Sequence, residues 1–244
     1  MTRLHNQRMK RFVEAGLYVV TSMSVSRGRS TVEIVRACLS AGVRLIQLRE
    51  KDLSTAQLYN LALKVREMTA RAGALFLVND NLDVALASRA DGAHLGQDDL
   101  PTEAARRLAP DLIIGASSSC LQEALDAERA GASYVNIGPV FPTSTREGCE
   151  KGVGLARTMA IGKRLKIPFT VMGGIKLKHV PGLVRTGASS IAVISAVTAA
   201  DDPEAAAREL LAAVRRTTLR ADPRTRSLRR CLTPPLPAHV RTGV

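Results

Sequence analysis

Five times along this chain a glycine flanked by small residues precedes a short apolar run: SAGVRLIQL (40–48), RAGALFLV (71–78), RADGAHLG (89–96), RAGASYVNIG (129–138) and RTGASSIAVIS (185–195). Each reads as a helix that ends on a glycine cap, followed by a buried strand. Three more runs fill the gaps: LYVVT (17–21), LIIGAS (112–117) and IPFTVM (167–172). The runs are continuous rather than alternating, as parallel strands covered on both faces require.

Helical patterns lie between them. Ser30 and Glu33 have the spacing of a capping box and open a helix over 30–41. Leu58, Leu61, Val65 and Met68 mark one face of a helix over 54–72. Shorter helices are predicted over 81–88, 102–109 and 121–130. Asp202 and Pro203 read as N-cap and first residue of a last helix, with Ala206, Leu210 and Val214 facing inward. Eight strand–helix units in about 200 residues point to an α/β protein, a (β/α)8 TIM barrel. A doubly wound sheet is the rival, but LYVVTSMSVSRG follows the first strand where that fold carries GxGxxG.

Charge separates the ends from the middle. The chain of 244 residues has a formal net charge of +13. Residues 1–11 hold four basic groups and no acid, and residues 215–244 hold eight Arg and one Asp. The middle is nearly neutral, so a basic domain surface for nucleic acid is not indicated. The expected organisation is a catalytic barrel over 12–216, a short basic segment before it, and an Arg/Pro-rich tail over 217–244, read as disordered. Contact with nucleic acid is expected at most weakly, through that tail. No run of 18 apolar residues is present, so no membrane helix is expected. Four scattered cysteines and no signal peptide pattern favour reduced thiols in the cytoplasm.

A barrel builds its site at the C-terminal ends of its strands. Gln47, Arg49 and Lys51 follow the second strand, and alternation sends all three toward the barrel mouth. Arg and Lys together suit a phosphate or diphosphate clamp, and Gln47 offers a donor and an acceptor to a heterocycle edge. Asn79 and Asp80 follow the third strand, and Asp98 and Asp99 the fourth. Carboxylates from neighbouring strand ends can hold one Mg2+, with phosphate oxygens and waters completing its shell; helix capping is the competing use of the same residues. His94, inside the fourth strand, has no His or Cys spaced to join it in a transition-metal site. One of Ser117, Ser118 and Ser119 is expected to cap the helix that follows. Cys120 has no activating neighbour in sequence and reads as structural. The long loop GPVFPTSTREGCEKGVG (138–154) offers Thr143, Ser144, Thr145 and Arg146 for wrapping a phosphate, with glycines that suit a lid. Gly173, Gly174, Ile194 and Ser195, at the ends of strands seven and eight, match the phosphate cup common in barrels. Two anion sites, a carboxylate pair and a heterocycle reader suit an enzyme that joins two phosphorylated small molecules with Mg2+.

The segments QLREK (47–51), LVNDNLDVALASRADGAHLGQDDLP (77–101), GASSS (115–119), GPVFPTST (138–145), MGGI (172–175) and AVISA (192–196), in this order and spacing, resemble the thiamine phosphate synthase family. The resemblance covers about residues 15–215. It implies a transferase that condenses 4-amino-5-hydroxymethyl-2-methylpyrimidine diphosphate with a thiazole phosphate, or its carboxylated form, giving thiamine phosphate and pyrophosphate. It implies that Gln47 reads the pyrimidine, that Arg49, Lys51 and Asn79 grip the diphosphate, and that Asp80 and Asp99 ligate one Mg2+. It also implies that Ser117 lies against the pyrimidine and the leaving group. Thr143, Thr145, Gly174, Ile194 and Ser195 would hold the thiazole phosphate, and Arg146 would act in catalysis. The sequence departs from the family's usual pattern at Arg146, where Lys is usual, at Ser119, where His is common, and at Ala156, where an acid is common. The alternatives are a thiazole tautomerase of the same superfamily and a non-catalytic barrel with a nucleic-acid-binding tail. Oligomeric state is left open.

Overall fold

A computed structural model of the chain describes residues 2–143 and 152–221. Helix α1 (Arg3–Glu14) comes first. Strand β1 (Gly16–Val20) follows, then a 3-10 turn at Met23–Val25 and α2 (Thr31–Ser40). The alternation continues through β2 (Leu45–Leu48), α3 (Thr55–Arg71), β3 (Leu75–Asn79), α4 (Leu82–Ala87), β4 (Gly92–Leu95) and α5 (Thr102–Leu108). It goes on with β5 (Ile113–Ser118), α6 (Leu121–Arg129), β6 (Tyr134–Ile137), α7 (Leu155–Gly162) and β7 (Phe169–Val171). A second 3-10 turn (Leu177–His179) leads into α8 (Val180–Val184), β8 (Ser190–Val193), α9 (Ser195–Thr198) and α10 (Pro203–Ala221). All neighbouring strands are parallel, and the order β1 to β8 closes on itself as a barrel. The (β/α)8 architecture expected from the sequence is the one observed.

The caps explain where the helices stop and start. Gly42, Gly73, Gly131 and Gly187 all have positive φ after their helices. The third of the five repeats differs: Arg89 takes the left-handed position after α4, at φ 54°, and Gly92 lies within β4. The Ser30–Glu33 capping box forms. Asp202 Oδ1 accepts from the Ala205 N–H at 3.0 Å, and α10 buries Ala207, Leu210, Leu211 and Val214 rather than Ala206. That helix runs to Ala221, five residues beyond position 216; residues 222–244 lie outside those described.

Strand parity divides the interior into two cores. Leu17, Val19, Ile46, Phe76, Ile114, Val135 and Ile191 point outward against the helices. Tyr18, Leu45, Leu75, Leu77, Ile113, Tyr134 and Ala192 point into the barrel. Helix α1 closes the bottom of that inner core. Its Phe12 is fully buried, with its ring centroid 4.4 Å from that of Tyr134 and 6.3 Å from that of Tyr18. The basic residues of α1 work as staples. Arg8 Nη1 donates to the Asp111 carbonyl at 2.9 Å, and Arg8 Nε lies 3.3 Å from Asp91. Asp91, nearly buried, also pairs with Arg66 at 2.9 Å and accepts from the Phe76 N–H at 3.0 Å.

His5 joins α1 to the loop before β5 through Nδ1 and the Leu112 carbonyl, 3.2 Å apart. Burial, and next the charge of Arg106, hold its pKa below the ordinary histidine value. A depressed basic pKa favours the fold above the unfolded pKa near 6.5, and that advantage is lost as pH falls through the folded value. The melting temperature is therefore expected to drop between pH 7.5 and pH 5, and to drop less in His5→Gln. Equal drops in the two proteins would show that His5 contributes nothing to acid sensitivity.

Candidate active site

The C-terminal ends of β2, β3 and β4 bring three charged groups together. β2 stops at Leu48, so Gln47 stays inside the barrel, 1% exposed, while Arg49 and Lys51 leave on the next turn. That turn is fastened from below. Thr21 Oγ1 accepts from the Arg49 N–H at 3.0 Å. Glu50, buried between the two cations, accepts from Thr31 Oγ1 at 2.6 Å and from the Met23 N–H at 2.7 Å. Glu50 thus ties the loop after β1 to the end of β2 and leaves Arg49 and Lys51 facing the mouth.

Lys51 Nζ donates to Asp80 Oδ2 at 2.5 Å. Asp80 has φ 63°, a left-handed conformation that aspartate adopts more readily than most residues, and its N–H donates to the His94 carbonyl at 2.8 Å. Asp99 Oδ2 accepts from the Gly96 N–H at 2.6 Å. Burial first, and then a hydrogen bond to Asp80 and the repulsion of its charge, push the Asp99 carboxyl above the ordinary carboxylate range. Two carboxylates placed this close repel each other, and a cation between them relieves that repulsion. This is the donor set Mg2+ takes from a protein, one or two carboxylates with substrate phosphates and water completing the shell. Among the described residues no group of three or more His, Cys, Asp or Glu could hold a metal. A pocket of about 190 Å3 lies beside Asp80, between the turn after β2, the start of α3 and the end of β3, lined by Lys51, Thr55, Leu58, Asn79, Asp80 and Asn81 among others. Neither the Arg49 guanidinium nor the Asn79 carboxamide has a protein partner among the described residues, which leaves both donors for an anion.

Helix capping does not claim these residues. The N-cap of α4 is Asn81 and that of α5 is Pro101, and neither makes a side-chain cap bond. The serines after β5 also differ from expectation. Cys120 occupies the N-cap of α6, and Glu123 reaches back to the Ser119 N–H at 2.6 Å and Oγ at 3.0 Å. Ser117 faces the interior instead, its Oγ 3.0 Å from His94 Nε2. Gln97 donates from Nε2 to the Ser117 carbonyl at 2.5 Å.

The opposite side of the mouth is formed by β6, β7 and β8. The stems of the long loop are pinned to each other and to the turn after β7. The Val140 and Phe141 N–H groups donate to the carbonyls of Met172 and Gly173, and Val153 N–H donates to that of Pro139. His179 stacks on Phe141 with centroids 4.0 Å apart. Gly174 has φ 61°, and a Cβ there would lie 2.4 Å from the Pro142 carbonyl oxygen. Thr143 ends the described part of the stem; Ser144, Thr145 and Arg146 lie outside the described residues. Ile194 precedes the short α9, and Ser195 is exposed at its start. Gly174→Ala is expected to raise the KM for a phosphate bound here by at least about tenfold, because strain and contact together cost more than about 1.4 kcal/mol. Steady-state kinetics with the phosphate substrate varied would check this; an unchanged KM would remove Gly174 from the cup.

Tyr18 and Tyr134 were not singled out from the sequence. Both lie at the same inward parity as the site residues, and both bond into it. Gln47 Nε2 donates to Tyr18 Oη at 2.5 Å, the two hydroxyls are 3.0 Å apart, and Tyr134 Oη is 2.8 Å from His94 Nδ1. Burial pushes both phenols well above their ordinary pKa, so they stay protonated at any working pH.

A family model described as thiamine monophosphate synthase matches residues 17–197. The thiamine-phosphate synthase of Chloroflexus aurantiacus is 46% identical over 202 residues, which covers 83% of this chain and 94% of that relative. The thiamine-phosphate synthase of Methanospirillum hungatei is 44% identical over 198 residues, 81% of this chain and 96% of the relative. Among solved structures, thiamine phosphate pyrophosphorylase from Pyrococcus furiosus matches with a TM-score of 0.79 at 40% identity, over 84% of this chain and 98% of that one. A 3-hexulose-6-phosphate synthase matches with a TM-score of 0.64 at 20% identity and shares the fold alone.

Proposed function

The chain belongs to the thiamine monophosphate synthase family, and from that premise we propose that it condenses 4-amino-5-hydroxymethyl-2-methylpyrimidine diphosphate with a thiazole phosphate to give thiamine phosphate and pyrophosphate. The observation that carries this reading is the Lys51–Asp80–Asp99 cluster, with Arg49 and Asn79 beside it at the mouth.

The bond from the pyrimidine methylene carbon to the diphosphate oxygen breaks first, and its electron pair leaves on that oxygen. Arg49, Lys51 and Asn79 hold the diphosphate and meet this growing charge with donors already in place. Asp80 and Asp99 are the proposed ligands of one Mg2+, which when bound supplies charge neutralisation for the departing diphosphate. The ring amino group feeds the electron-poor methylene carbon. Gln47 reads the ring edge, and Ser117 lies between the ring and the leaving group. The thiazole nitrogen then attacks the carbon and forms the new C–N bond. Thr143, Gly174, Ile194 and Ser195 hold the thiazole phosphate so that this nitrogen faces the carbon. Thr145 and Arg146 are proposed for the same loop on the resemblance of GPVFPTST to the family. Arg146 keeps a positive charge where Lys is usual, as a planar fork rather than a point donor.

No helix among the described residues is long and apolar enough to cross a membrane. Cys38 and Cys120 are free thiols. Both fit the proposed cytoplasmic setting.

The test is product formation from both substrates with Mg2+, alongside a reaction with the thiazole phosphate alone. Thiamine phosphate only when both are present supports the synthase. Isomerisation of the thiazole without the pyrimidine, and no coupling, would replace it with a tautomerase.

A further inference from the structure

The buried string Gln47–Tyr18–Tyr134–His94–Ser117 crosses the barrel beneath the mouth, and every link is within hydrogen-bond distance. Its middle is sealed: Tyr18 is 1%, Tyr134 0% and His94 5% exposed. Tyr134 lies over Gly115, where a Cβ would sit 2.3 Å from its ring. Phe12 closes the string from below.

The string has a direction. Tyr18 Oη accepts from Gln47 Nε2, and its one other partner among the described residues is Tyr134 Oη. If it accepted from both, its own proton would be buried without an acceptor, which is costly. Tyr18 therefore donates to Tyr134, and Tyr134 donates to His94 Nδ1. The His94 proton then sits on Nε2 and goes to Ser117 Oγ. The Ser117 hydrogen is left to point away from the ring. At the other end, Gln47 Oε1 accepts nothing within the described residues. Among the described residues no fully buried side-chain nitrogen or oxygen lacks a partner, so Oε1 is not fully buried and stays open to a ligand.

We propose that Tyr18, Tyr134 and His94 are positioning residues that polarise this string, so that Gln47 presents an acceptor and Ser117 a donor to the pyrimidine diphosphate. The inference rests on the reading of the site given above and deepens it into a specificity rule. An acceptor at Gln47 matches a ring that carries an amino group. A reversed amide would reverse every bond in the string. It would then present an N–H at Gln47, which matches a ring oxo group instead. Selection of amino over oxo rings is thus set by hydroxyls that lie below the ring.

The test compares kcat/KM for the 4-amino and 4-oxo pyrimidine diphosphates in the wild type, Tyr18→Phe and Tyr134→Phe. Each variant removes one oxygen and keeps the ring. Each is expected to lower the amino-to-oxo ratio by about tenfold or more, the effect of leaving one buried group mispaired. His94→Gln, which keeps a donor and an acceptor, is expected to retain more of the ratio than His94→Leu. A purely structural role would lower the melting temperature and leave the ratio at its wild-type value. Gln47→Leu separates the two levels of the account. If Gln47→Leu keeps the ratio, the reading of Gln47 falls. If Gln47→Leu loses it while both Phe variants keep it, the string is overturned and the reading of Gln47 stands.

Discussion

Asp80→Ala is expected to lower kcat/KM for thiamine phosphate formation by at least about a thousandfold, the scale seen when a preorganised charge at a departing oxyanion is removed. The argument is local. Asp80 pairs with Lys51 and acts on the Asp99 carboxyl. Without it Lys51 loses the partner that aims it, and the ion site keeps a single carboxylate. Asp80→Asn keeps the shape and the left-handed backbone that Asn tolerates, but it removes the charge. It is expected to lose about a hundredfold. Asp80→Asn should cost little stability, because the side chain is partly exposed and the ion pair with Lys51 is a surface one; Asp80→Ala adds about 1 kcal/mol of strain at φ 63°, too little to explain a loss of activity on this scale. Activity and melting temperature should therefore separate. Steady-state kinetics beside thermal melts would check this, and near-wild-type kcat/KM in Asp80→Ala would remove the carboxylate pair from the chemistry.

The second large effect concerns the bottom of the barrel. Phe12→Ala is expected to cost about 3–5 kcal/mol, the usual range for emptying a buried phenylalanine site. Phe12 has no solvent exposure and packs on both Tyr18 and Tyr134, so neither ring can collapse into the space without leaving the string. Helix α1 is also held by Arg8, Arg11 and His5, which keeps the cavity from closing by a shift of the helix. In a domain of this size the melting temperature should fall by about 10 °C. Urea unfolding would read the loss, and a change below about 1 kcal/mol would show that α1 is a peripheral attachment. If the string matters to the ring-edge selection, Phe12→Ala should also lower the amino-to-oxo ratio, although Phe12 reaches no substrate.

The barrel was legible because its signal is repeated: apolar runs of strand length occur eight times, five of them after a small-glycine-small turn. The residues at the mouth were legible for the same reason, since Arg49, Asp80 and Asp99 follow such runs and Gln47 and Asn79 lie at or near their ends. What the sequence reading missed acts through pairings that no spacing encodes. Glu50 was passed over between two cations, yet it is the anchor on which they stand. Tyr18 and Tyr134 sit 116 positions apart and meet only when the barrel closes. Their inward parity, in a chain with three Tyr in all, was the available signal. The first eleven residues were read for their charge alone. His5, Met9 and Phe12 nonetheless fall at helical spacing, and this is the face that α1 turns to the barrel. The caps show the opposite error. Asp80, Asp99 and the serines after β5 were suitable capping residues by type, but the helices start on Asn81, Pro101 and Cys120. The side chains are turned to the mouth or to one another.

The most direct measurement is pyrophosphate release and thiamine phosphate formation followed together, on mixing both substrates over a range of Mg2+, in the wild type, Asp80→Ala and Asp99→Ala. The account predicts one pyrophosphate per thiamine phosphate in the wild type, with both signals abolished by EDTA and nearly lost in each variant. Equal, Mg2+-dependent product formation in the wild type and both variants would contradict it.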